Sequence, residues 1–108
     1  MAFLRACSDA ELEEGKPLPV ELEGVEVALV RCEGGVFAIR DECSHAEIAL
    51  SEGEVEGCTV ECWLHGSRFD LRTGVALGLP ATEPVDVYPV RHEGDDLLVD
   101  VEHPLTRA

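Results

Sequence analysis

Two short stretches of the chain pair the residue types that bind soft metal ions. Cys43-Ser44-His45 sets a thiol two positions before an imidazole, and Cys62-Trp63-Leu64-His65 sets them three apart. Sixteen residues separate His45 from Cys62. Two thiolates and two neutral imidazoles can hold a zinc ion as a Cys2His2 set. They can equally hold a two-iron cluster with sulfur ligands on one iron and nitrogen ligands on the other. A mononuclear zinc site usually draws on a C-x2–4-C knuckle and an H-x3–5-H helix. Here each stretch mixes the two ligand types, and two loops that each give one Cys and one His suit a diatomic centre. A zinc-stabilised binding module with no redox role is the alternative.

The elements that must position these loops read as short strands broken by turns. Residues 3–6 predict a first strand, and 8–12 one helical turn capped by Ser8 or Asp9. Residues 19–22 and 25–30 flank Glu23-Gly24, a hairpin signal, and a third strand over 36–40 follows across Glu33-Gly34-Gly35. Further strands are expected at 59–63, 67–71, 85–91 and 97–101, the last two turning at 93–96, with 103–108 as a loose tail. This spacing predicts an all-β chain built as an antiparallel sandwich or small barrel. From about 41 to 84 the strands shorten and loops carrying Gly, Cys and His take over. That stretch is expected to be a subdomain inserted between strands of one domain covering 1–108.

The second stretch continues as Cys62-Trp63-Leu64-His65-Gly66-Ser67-Arg68-Phe69-Asp70. It resembles the second cluster-binding box of Rieske proteins, C-x-x-H-G-[ST]-x-[FY]-D, and Cys43-Ser44-His45 resembles the first. The resemblance extends to the Arg72-Thr73-Gly74 turn and to Tyr88-Pro89-Val90 in the closing strand. It implies a Rieske-type antiparallel β-sandwich with an inserted cluster-binding subdomain, and one [2Fe-2S] cluster per chain. Cys43 and Cys62 would ligate one iron, and His45 and His65 the outer, partly exposed one. Gly78-Leu79-Pro80-Ala81 falls where the family has a proline-containing loop over the third side of the cluster. Ser67 matches a residue that donates a hydrogen bond to a cluster sulfide, and Gly66 would let backbone amides approach the sulfurs.

Departures from the family carry information. Respiratory Rieske proteins place an extra Cys in each box and join them as a disulfide; Ile48 and Leu64 stand at those positions. Phe69 stands where those proteins have a Tyr, which removes a hydroxyl hydrogen bond to a ligand thiolate. Fewer hydrogen bonds to sulfur leave the reduced, more negative state less stabilised. The surplus of acidic residues acts in the same direction. Both place the potential at the low end of the Rieske span of about −150 to +300 mV. That is the range of soluble Rieske ferredoxins serving multicomponent, ring-hydroxylating dioxygenases. Imidazole ligands also put titratable N–H groups at the outer iron, so reduction can couple to protonation of His45 or His65.

Eight basic residues stand against 23 acidic ones, for a formal charge of −15 over 108 residues. Such a field excludes nucleic acid and anionic membrane as partners and favours basic faces on other proteins. No stretch approaches the roughly 18 apolar residues of a membrane span, and no leader is visible, so a cytoplasmic location is expected. Five cysteines, an odd number, argue against a disulfide framework. Cys7 and Cys32 read as buried small hydrophobes, Cys58 as a spare thiol, and His92 and His103 as surface residues. Glu21, Glu23 and Glu26 read as a solvated sheet face; Glu42, Glu47, Glu52, Glu54, Glu61 and Asp41 flank the boxes, where a docking role stands as an alternative to a solvated surface. No G-x-G-x-x-G loop or further iron triad is present, and 108 residues leave no room for a catalytic domain beside the cluster. The chain is therefore expected to be an electron carrier and not an enzyme. It would be a monomer taking one electron from a flavin-dependent reductase and giving it to a terminal oxygenase or similar acceptor. A Rieske ferredoxin of another pathway, such as iron–sulfur cluster assembly, is the runner-up.

Overall fold

The computed structural model describes residues 3–42, 49–62, 66–77 and 84–105. Within them the chain is all-β, with strands β1 (Phe3–Ser8), β2 (Leu18–Leu22), β3 (Val25–Cys32), β4 (Gly35–Arg40), β5 (Glu54–Glu56), β6 (Thr59–Glu61), β7 (Arg68–Asp70), β8 (Val87–Tyr88), β9 (Val90–Glu93) and β10 (Asp96–Asp100). Single 3₁₀ turns lie at Asp9–Glu11 and Leu50–Glu52. The strands form three antiparallel sheets in the orders β1-β10-β9, β2-β3-β4-β8 and β5-β6-β7.

The four-stranded sheet is the middle layer, because its inner strands β3 and β4 are apolar on both faces. Side chains alternate faces along a strand. On β3, Val27 and Leu29 join Cys7, Leu97, Val99 and Tyr88 in one core. The intervening Ala28, Val30 and Cys32 join Val60, Phe69 and Leu71 in a second core. A half-solvated strand would have alternated apolar with polar; this one reads as a near-continuous apolar run because both faces are covered. The β2–β3 and β3–β4 hairpins turn at Glu23-Gly24 and Glu33-Gly34, all four residues at positive φ, as two-residue hairpin turns of type I′ require.

The expected strand at 85–91 is divided. Pro89 carries no N–H, so the chain cannot continue its ladder there. Before it, Val87 and Tyr88 pair with Ile39 and Ala38 of the middle sheet. After it, Val90 pairs with Val99 of the outer sheet. Pro89 is thus the corner at which the chain changes layers. Within the described residues, the strands expected at 59–63 and 67–71 are observed as β6 and β7, with Trp63 outside those residues, and β5 lacked any sequence signal beyond one Val between two Glu. The tail is tied more closely than a loose segment: the Leu105 amide donates to the Val87 carbonyl at 2.6 Å, and His103 bonds the Asp100 carboxylate at 2.9 Å.

One expectation is overturned. Cys32 and Cys58 form a disulfide, with Cα atoms 5.5 Å apart. Both are buried as small residues of the second core, but neither is a free thiol. An odd cysteine count requires only that one thiol stay unpaired. The pairing arises because β3 and the β5–β6 turn meet face to face across 26 residues of sequence. In the chain-entropy description a loop of that length is worth about 3–4 kcal/mol. The nearby exposed Arg72–Glu33 ion pair spans the same two layers and is worth about 1 kcal/mol at most. Cys7 remains a buried free thiol, and burial raises its pKa, which keeps it inert.

The double coverage of the middle sheet is testable at neighbouring positions. Leu29 and Val30 are both fully buried, on opposite faces. Leu29→Asp and Val30→Asp should each abolish cooperative thermal unfolding, since an unpaired carboxylate in either core costs several kcal/mol. Tolerance of either substitution would mean that one face of the sheet is solvated.

Candidate metal centre

Of the four residues singled out, Cys62 lies among the described residues; Cys43, His45 and His65 lie outside them, as do Ile48, Trp63, Leu64 and residues 78–81. Among the described residues, no three His, Cys, Asp or Glu side chains converge as a metal site. What is visible is the framework at the ends of each segment.

Cys62 follows directly on β6 and is fully buried in the second core, with a free thiol. Its amide donates to the Ser67 carbonyl at 2.6 Å, and its carbonyl accepts from the Gly66 amide at 2.8 Å. The chain therefore leaves β6 at Cys62 and re-enters β7 from Ser67 through a neck closed by two backbone bonds. Gly66 sits at φ +77°, a left-handed conformation that costs a side-chain-bearing residue free energy. Its own amide serves Cys62, so within the neck the glycine supplies conformation. Ser67 is fully buried beside it. Phe69, two residues on, fills the core between the middle and third sheets.

The other two segments are pinned at their ends as well. Asp41 closes the first: one carboxylate oxygen accepts from the Ser51 amide at 2.6 Å, the other from the Ser51 hydroxyl at 2.7 Å. The Asp41 amide donates to Glu26 of β3 at 2.8 Å. Asp41 is buried, so its role is to staple the loop, and neither the solvated nor the docking reading of its position applies. Nothing local could have revealed this, because the partner lies ten residues away. The third segment is held by Leu77, whose amide donates to Arg68 at 2.7 Å, and by Val85, whose amide donates to Gly74 at 2.9 Å. A Cβ on Gly74 would lie 2.1 Å from the Val85 carbonyl oxygen, and its φ is +79°, so only glycine fits.

The outward surface of the third sheet is acidic. Arg68, its central cation, is shared among Glu61 at 3.0 Å, Glu56 at 3.2 Å and the Thr59 hydroxyl at 3.3 Å. Glu52, Glu54 and Glu56 are exposed. The other two histidines stand apart: His92 is exposed and bonds Asp9 at 3.3 Å, while His103 caps Asp100. The Asp9 carboxyl is held below its usual range by the Arg31 guanidinium and then by His92. These contacts assign both histidines to the surface.

A buried, unpaired cysteine at the neck of a two-bond loop fits a thiolate ligand, and its spacing to His65 fits a two-residue-type site. Comparison with known proteins bears on the family. The family model described as the Rieske [2Fe-2S] domain matches residues 2–89. The chain is 49% identical over 107 residues to the biphenyl 2,3-dioxygenase ferredoxin component of Rhodococcus jostii RHA1, covering 98% of this chain and 99% of that protein. The solved ferredoxin of carbazole 1,9a-dioxygenase from Nocardioides aromaticivorans IC177 superposes with a TM-score of 0.87 at 38% identity, covering 92% of this chain and 97% of that one. A structure titled as a complex of reduced oxygenase and oxidised ferredoxin in carbazole 1,9a-dioxygenase matches at TM-score 0.85 and 30% identity, covering 90% of this chain and 91% of that one.

The staple at Asp41 has a direct test. Asp41→Ala removes two charge-assisted bonds and should cost about 2–4 kcal/mol in chemical denaturation. Asp41→Asn, which retains one acceptor, should cost clearly less. A loss in Asp41→Ala no larger than the roughly 0.5 kcal/mol of an ordinary surface substitution would mean that the contact to Ser51 contributes little.

Proposed function

The chain belongs to the Rieske [2Fe-2S] domain family, and from that membership we propose that Cys43, His45, Cys62 and His65 hold its cluster within a subdomain of about residues 41–84. The protein is an electron-transfer component and not a catalytic one, and its cofactor is a Rieske-type [2Fe-2S] cluster. It carries electrons as the ferredoxin of a ring-hydroxylating dioxygenase system, with a terminal oxygenase as acceptor. When bound, the cluster supplies reversible storage of one electron.

The chain's own residues account for how that service is performed. Cys62, fully buried at the end of β6, would give its thiolate from the water-free side of the site. His45 and His65 would give the other iron its two imidazole ligands. Among the described residues the site's surroundings carry Glu42, Glu52, Glu54, Glu56 and Glu61, with Arg40 and Arg68 already engaged by Glu42 and Glu61. That leaves an acidic face for basic partner surfaces, and steering of this kind raises encounter rates while keeping interfaces small and short-lived. We further assign a flavin-dependent reductase as donor, a monomeric state and a cytoplasmic location. The alternative pathway, iron–sulfur cluster assembly, uses the same site and differs only in the acceptor.

The observation that carries the reading is the free, buried Cys62 at the neck that leads into His65. Purified protein should contain two iron and two acid-labile sulfide per chain, and His65→Cys should lower the reduction potential. Cys62→Ser should lose the cluster while the remaining fold survives. Colourless protein with zinc and no sulfide would refute the assignment. The reduction potential, read by protein-film voltammetry, should fall near the −150 mV end of the roughly −150 to +300 mV Rieske span. Electron delivery to a biphenyl dioxygenase oxygenase should slow as salt is raised from about 50 to 500 mM. Salt-independent delivery would remove the acidic face from the docking step.

A further inference from the structure

We propose that the Cys32–Cys58 disulfide is a thiol-redox latch that governs how firmly the third sheet, and with it the cluster, is held. The inference rests on Cys62 being a cluster ligand. Cys32 ends the central strand of the middle sheet; Cys58 lies in the β5–β6 turn, four residues before Cys62. All three belong to one buried core. The Leu71 amide donates to the Cys58 carbonyl at 2.8 Å, so Cys58 also fixes the far end of β7. Both strands that frame the Cys62 neck are thus anchored through Cys58 to the middle sheet. The Arg72 guanidinium also ties these layers at this end, paired with Glu33 and lying 5.8 Å over the Phe37 ring, but these exposed contacts are weak.

The latch is built to be opened. Cys58 and Gly57 form the tip of a two-residue turn, and Gly57 has no atom within 4 Å of where a Cβ would stand. β5 is a three-residue edge strand with both Glu residues exposed. Short edge elements of this kind open locally at small cost. The sulfurs are buried, so exchange requires that opening, which makes the bond slow to respond and not inert. A compartment rich in thiols keeps accessible disulfides reduced. The state of this one therefore reports both redox poise and the local stability of the cluster-bearing sheet.

The step is thiol–disulfide exchange with a dithiol. A thiolate of the dithiol attacks one sulfur of the Cys32–Cys58 bond, and the other leaves as a thiolate and takes a proton. The second thiol of the reductant then attacks the mixed disulfide. The chain ends with two thiols, having gained two electrons and two protons, and the reductant ends as a disulfide. A disulfide-form oxidant reverses the sequence.

The experiment uses the intact holoprotein, dithiothreitol and the Cys32→Val/Cys58→Ala variant. Alkylation after denaturation without reductant should label three cysteines, Cys7, Cys43 and Cys62, and five after dithiothreitol. Dithiothreitol should shorten the half-life of the visible cluster absorbance at least fivefold and lower the Tm of the wild-type protein. It should change neither in the variant, whose half-life already matches that of the reduced wild type. Five labelled cysteines before reduction, or an unchanged half-life and Tm after it, would overturn the latch. Should the variant fail to fold, the wild-type pair of measurements still decides. Protein lacking iron and sulfide would refute the cluster reading separately, and there a dithiothreitol-dependent Tm shift still supports the latch and an unchanged Tm overturns it.

Discussion

The structure depends on one constraint: the inner strands β3 and β4 of the four-stranded sheet send apolar side chains into a core on each face. A sheet with one wet face could have stood as half of an ordinary sandwich. Here the outer sheet of β1, β10 and β9 covers one face and the small sheet of β5, β6 and β7 covers the other. The second core is what gives the three short strands β5, β6 and β7 a rigid floor. Three-residue strands cannot bury enough apolar surface to stand alone. Their order comes from Val60 and Phe69 packing onto Val30 and Ile39 of the middle sheet.

On that floor the site is assembled by polar staples at the bases of loops. Asp41 with Ser51, Cys62 with Ser67, and Gly74 with Val85 each close a segment where it leaves the regular structure. Short bonds at a loop's base fix where its ends emerge without prescribing its tip. A redox centre gains from this arrangement, since its ligands need fixed origins while its exposed side must accept more than one partner. The charges follow the same division. Cations near the site are paired with neighbouring carboxylates, and the uncompensated acidity is left on the outer surface.

Much of this was legible in the sequence where the cause is local. The hairpins at Glu23-Gly24 and Glu33-Gly34 were readable because two-residue turns dictate backbone angles. Cys-x-His and Cys-x-x-His could be read as a candidate ligand set because such pairings have few alternative uses. What escaped depends on residues meeting across long separations. The Cys32–Cys58 bond joins elements 26 residues apart, and parity reasoning about five cysteines cannot see it. Asp41 looked like any surface acid until Ser51 arrived beside it. The run along β3 was read as a strand, yet nothing in it says that two separate layers lie above and below.

The placement of the first and last strands has a consequence for how the molecule comes into being. β1 pairs with β10, Phe3 opposite Asp100, so nearly the whole chain separates two neighbours in one sheet. The hairpins β2–β3–β4 and the turn-linked β5–β6–β7 close over short distances. During synthesis on a ribosome the middle sheet's hairpins and the β5–β6–β7 layer can therefore be paired while β1 still waits for its partner. The apolar side of the middle sheet that carries Val27 and Leu29 stays open until residue 100 has emerged. The most aggregation-prone interval in the life of this protein is thus the one just before its final strand is delivered.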